Sequence, residues 1–170
     1  MSGSRKLLIA GGLALVLWGM SYGLYYALLE EHQTLDRMGS SLARAFTGAA
    51  ERKLPEAHAA LDAYAQAKFD YRREVDVHSH WAGLALLLIV LGVAFDRVGF
   101  SERTRFFLAW MLVAGSAIFP LGVILEAWDH GLIPRMIAVL GSGLVIVGLG
   151  AAALGFACGY GEAPETPRKP

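Results

Sequence analysis

Cysteine is almost absent: Cys158 is the only one in 170 residues. An intramolecular disulfide is therefore excluded, as is a metal cluster built on several thiolates. A surplus of either charge is missing too, with 15 basic residues against 15 acidic. Nothing is left over to neutralise a phosphate backbone, so nucleic acid is not an expected partner. Several motifs with a defined chemistry are also lacking. There is no C-x-x-C-H for covalent haem, no H-E-x-x-H for zinc hydrolysis, no Gly-rich phosphate loop and no Ser/His/Asp set. The few methionines do not cluster with the histidines, which argues against a soft copper site. No catalytic residue is assigned, and an enzyme is the less favoured class.

What the chain has in abundance is apolar length. It is 55% hydrophobic with a mean hydropathy of +0.46, too apolar for a soluble domain that must coat its own surface. The apolar residues come in blocks at 7–29, 77–98, 106–126 and 133–158. Each is close to the roughly 20 residues that cross about 30 Å of hydrocarbon. The expected fold is all-α, an integral four-helix membrane bundle in one domain. The first block is longer than the roughly 7–15 apolar residues of a secretory signal, so a retained anchor is expected.

Lys and Arg set the orientation. With the N-terminus inside, Arg5, Lys6, Arg97, Arg103, Arg105, Arg168 and Lys169 face the cytoplasm, and the short outer connection holds Arg135 alone. Both termini are expected to be cytoplasmic, in a bacterial inner membrane. Residues 159–170, rich in proline, read as a disordered cytoplasmic tail.

Residues 30–76 are too regular for a loop. Leu35, Met38, Leu42, Ala45 and Ala49 step by three and four, and Ala57, Leu61, Tyr64, Lys68, Tyr71 and Val75 repeat the spacing. Between them lies "FTGAAERKLPE", with Gly48 to weaken a helix and Pro55 to suit a first turn. The first two membrane helices should extend outward as a helical hairpin joined near Ala49 to Leu54. Leu35, Met38, Leu42, Leu61 and Tyr64 should face its inside.

Gly19–Gly23–Ala27 and Ala151–Gly155–Gly159 are small-xxx-small series, which let helices approach closely. They suit packing within one chain, with a homodimer behind it.

All five histidines fall on the outer side of this topology. His58 belongs to the hairpin. His32 follows the first span, His78 and His80 open the second, and His130 follows the third, so four reach one depth at the outer interface. Two readings stand. Imidazoles, like Tyr22, Tyr25, Tyr26, Trp81 and Trp128, suit a headgroup zone that is wet on one side and apolar on the other. Neutral imidazole is also the commonest nitrogen ligand for Zn, Cu and Fe.

Two positions along a helix turn by about 200°, so His78 and His80 cannot share a face. Glu126 and His130 do, being four apart, as do Glu74 and His78. The cofactor reading is a haem b or transition metal held by His80, with His130 or His32 opposite, His78 as the other candidate and Glu126 as ligand or orienting acid.

The stretch "VHSHWAGLALLLIVLG", with "FPLGVILE", resembles small bacterial inner-membrane proteins that are loosely similar to helices of the haem-copper oxidase and nitric-oxide reductase superfamily. The resemblance implies a ligand-like position at His80 or His78 and a link to a respiratory chain. It implies no oxidase activity. The other class is a non-enzymatic sensory, assembly or partner-binding subunit that uses the hairpin.

Overall fold

The computed structural model describes residues 1–128 and 131–159. Those residues form five helices, α1 (Gly3–Leu29), α2 (Glu31–Ala50), α3 (Leu54–Ala94), α4 (Glu102–Trp128) and α5 (Leu132–Gly159). Four helices are long and apolar enough to span a membrane: α1, α3, α4 and α5. The expected all-α bundle with an outward hairpin is what forms. His130 and the tail beyond Gly159 lie outside the described residues.

At 1.5 Å per residue, the 41 residues of α3 reach about 60 Å, twice the ~30 Å of hydrocarbon. About half of α3 is therefore more than the hydrocarbon can hold, and its apolar half is the C-terminal one. The other arm is nearly continuous with α1. Only Glu30 interrupts the column, and the Glu30 N–H still donates to the Tyr26 carbonyl at 2.9 Å.

The hairpin reverses where the sequence places it. Arg52 takes a left-handed φ of 59°, the Arg52 N–H donates to the Ala49 carbonyl and the Lys53 N–H to the Gly48 carbonyl. These two bonds close α2 in a Schellman motif, and Pro55 then starts α3 where its missing N–H costs nothing.

The seam between the arms corrects the expected leucine stripe. Thr34, Ser41, Ala45 and Gly48 of α2 are buried against Ala57, Ala60 and Ala67 of α3. Leu35 and Leu61 are exposed, while Met38, Leu42 and Tyr64 are half-buried. Small side chains win because they bring the two backbones close. A Cβ on Gly48 would stand 3.1 Å from the Ala57 nitrogen.

In the membrane part, α1 pairs with α3 and α4 with α5, while α4 also touches α1 and α3. The core holds Leu8, Val77, Trp81, Leu88, Phe95 and Leu112, all fully buried. Gly19 and Gly23 of the first small-residue series face α3 of the same chain, against Trp81 and His78. Gly155 and Gly159 of the second meet residues 97–100. At the end opposite the hairpin, Glu102 accepts from the Ser4 N–H at 2.9 Å and the Ser4 hydroxyl at 3.2 Å, and pairs with Arg105 at 3.1 Å. This carboxylate caps α1 from the start of α4 and so fixes which helices are neighbours.

Candidate functional site at the hairpin end of the bundle

The histidines that open the membrane part of α3 separate as helix geometry requires. His78 turns into the bundle, and its Nδ1 lies 3.0 Å from the Gly19 carbonyl oxygen. Its ring fills the notch left by Gly23, where a Cβ would come within 2.5 Å of that nitrogen. His78 is thus a bridge between α3 and α1. His80 is exposed, with its ring 4.8 Å from that of Phe119 on α4. His32 is exposed at the start of α2, and His58 is exposed near the hairpin tip.

The two candidate carboxylates also have partners other than histidine. Glu126 pairs with Arg73 at 2.8 Å and is 16% exposed in its side chain. Arg73 in turn lies over the Phe69 ring, 5.0 Å from its centroid. Glu74 shares a helix face with His78 yet accepts its hydrogen bond from the Tyr22 hydroxyl. Among the described residues, no group of three or more His, Cys, Asp and Glu could hold a metal ion. With His78 and Glu126 engaged elsewhere, the residues described do not fit a polydentate metal centre.

What gathers at this level instead is tyrosine. Tyr22 stands edge-on to Trp81 with ring centroids 5.5 Å apart, and Tyr25 lies 6.4 Å from Tyr22. Tyr26 meets Tyr71 of α3 at 6.4 Å. Beside them opens a groove of about 510 Å³. Tyr22, Tyr25 and Tyr26 line it, together with the acidic residues Glu30, Asp70 and Glu74 and the basic residue Arg37. Arg37 donates to the Thr34 hydroxyl at 3.0 Å. Glu74 stands before the apolar run of α3. Burial pushes its carboxyl above the usual carboxylate range, the Tyr22 hydrogen bond opposes this, and Glu30 and Asp70 add to the rise. Sequence reading placed the tyrosines in an interfacial belt. Glu30 follows Tyr26 by one helical turn, whereas Asp70 and Glu74 stand tens of residues away and join them only through the fold.

Further out, the hairpin has two unlike faces. One holds an apolar groove of about 230 Å³ lined by Leu42, Phe46, Leu54 and Leu61 with three alanines and His58. Phe46 is 70% exposed and Leu54 59%, in a segment that stands clear of the hydrocarbon. The opposite face is lined by Arg44, Thr47, Glu51 and Glu56 with small residues. Comparison with family models, curated proteins and solved structures finds no match for this chain.

Proposed function

We propose that the protein is a non-enzymatic docking subunit of a bacterial inner membrane. Its four spans anchor it, and its hairpin presents an apolar face on the extracytoplasmic side to an amphipathic helix of another membrane protein. The observation that carries this reading is the small-residue seam. Because alanine, glycine, serine and threonine hold the arms together, Phe46, Leu54 and Leu61 are left exposed on one side, with Leu42 half-buried beside them. Apolar area in water costs about 25 cal/mol per Å², so a face of this kind gains by being covered. The groove between two arms suits a third helix laid along it.

A photo-crosslinking residue at Phe46 or Leu61 of the full chain in native membranes should yield an adduct with one membrane protein. The same probe at Thr47 or Ala63 on the other face should yield none. Leu42→Asp should weaken the adduct from position 61 about 30-fold, the effect of losing a ~2 kcal/mol anchor. Equal labelling from both faces would overturn the reading, as would the absence of any adduct.

A second reading keeps a haem b or transition metal at His80. Its support is the position of that imidazole, exposed at the start of the membrane part of α3 and lying on Phe119 of the neighbouring helix. Protein purified after growth with haem and metals supplied would then show a visible absorption band. His80→Ala would remove the band and His58→Ala would keep it. A colourless, metal-free protein sinks this reading.

A further inference from the structure

We propose that the groove beside Tyr22 binds the headgroup of an aminophospholipid, taking its ammonium among the tyrosine rings and carboxylates and its phosphate at Arg37. This site is distinct from the docking face on the hairpin. It is set by its level, its charge and its size together.

The level comes from the chain. The groove takes residues from the last two turns of α1 and the first two turns of α2, on either side of the point where the apolar run ends at Leu29. Headgroups sit at this depth. Leu24 and Leu28, beside these tyrosines on α1, are 61% and 69% exposed and offer an apolar track for acyl chains. On the α4 side the groove is closed by Ile124.

The charge selects a cation. Three acidic side chains line the groove against the single basic Arg37. Glu74 is held in a half-buried position with Glu30 and Asp70 acting on it, and a bound cation relieves that repulsion. Tyrosine faces add cation–π attraction to a group within about 6 Å of a ring.

Size then suits an organic group better than a bare ion. Among the described residues, no three of these acids approach closely enough to hold a metal. They stand around a space of about 510 Å³, many times the ~30 Å³ share of a water molecule. An organic ammonium fills such a space. Carboxylates accept N–H donors, so a primary ammonium is preferred over a quaternary one, which has none to give. The guanidinium of Arg37 completes a zwitterion site, since its fork matches phosphate oxygens.

The same ammonium–phosphate pair could reach the groove from a lipid or from a soluble headgroup. The test separates them. The full chain in detergent is mixed with phosphatidylethanolamine, phosphatidylcholine or phosphatidylglycerol, and retained lipid is counted by native mass spectrometry. A parallel arm adds excess glycerophosphoethanolamine. Phosphatidylethanolamine should be retained at least tenfold over phosphatidylglycerol and more than phosphatidylcholine, with little displacement by the soluble headgroup. Glu74→Gln with Asp70→Asn should cut retention about tenfold, and Arg37→Gln should cut it severalfold. Tyr25→Leu, at a half-exposed side chain, removes a ring face without touching the core and should also lower retention. Equal retention of phosphatidylethanolamine and phosphatidylglycerol would overturn the proposal. So would undiminished retention in Tyr25→Leu, or full displacement by glycerophosphoethanolamine.

Discussion

Gly141→Ala is expected to part α4 from α5, although it adds one methyl group to a helix that alanine ordinarily favours. A Cβ at Gly141 would lie 2.4 Å from the Phe119 nitrogen and 2.6 Å from its Cα. These are backbone atoms of α4 and cannot swing aside. The facing Gly122 makes the same demand, since its Cβ would lie 2.3 Å from the Ala138 nitrogen. Over-packing costs about 1–3 kcal/mol where side chains can yield. Here the whole helix must move, so destabilisation of about 3 kcal/mol is expected, at the top of that range.

Gly143 and Gly150 provide the contrast within the same helix, because a Cβ at either meets nothing within 4 Å. Gly150→Ala should be neutral or stabilising, by less than about 1 kcal/mol. The gain is small because a bilayer already enforces the helical state. Unfolding of purified protein in detergent mixtures measures both. If the two variants shift stability in the same direction, close backbone approach is not what joins α4 to α5.

This seam shows which features the sequence carries and which it does not. Block length alone gives the spans, because hydrocarbon leaves a backbone no hydrogen-bond partners except its own. The hairpin is legible for a related reason, through apolar and small positions repeating at helical period between two turn signals. Its inner face is not. On α2 the expected stripe through Leu35, Met38, Leu42, Ala45 and Ala49 and the buried stripe through Thr34, Ser41, Ala45 and Gly48 have the same period and share Ala45. Periodicity cannot choose between them, and close packing of backbones favours the smaller side chains.

The histidines divide the same way. Helix geometry alone puts His78 and His80 on different faces. It does not reveal that His78 bonds to the Gly19 carbonyl. Nor does it show that Glu126 pairs with Arg73, or Glu74 with Tyr22. Those partners are set by which helices become neighbours, and the Ser4–Glu102 contact at the other end helps to decide that.

Trp81→Ala should be the most damaging single truncation in the bundle, and Trp81→Phe should be nearly harmless. Trp81 is 1% exposed and packs on Gly19, with its ring edge-on to Trp18 at 6.2 Å and to Tyr22 at 5.5 Å. Removing a buried Trp or Phe side chain costs about 3–5 kcal/mol in a water-soluble core. Between membrane helices the transfer part of that cost falls away, because lipid tails are as apolar as the core. The lost contacts and the cavity remain, so about 3 kcal/mol is expected. The indole Nε1 is buried with no hydrogen-bond partner among the described residues. Phenylalanine loses part of the ring but also removes that unmet donor, whose burial costs about 1–3 kcal/mol. The two effects offset, and Trp81→Phe should fall within about 1 kcal/mol of the native protein. The variants also differ in reach. Tyr22 rests on this ring while its hydroxyl holds Glu74, so the alanine variant should loosen the groove and lose its selectivity for the ammonium headgroup. The phenylalanine variant keeps a face for Tyr22 and should retain it. Detergent unfolding and lipid retention, measured on the two variants, read the packing and its reach separately. If Trp81→Phe were as damaging as Trp81→Ala, the indole would be held by something its N–H reaches, and ring packing alone would not explain this core.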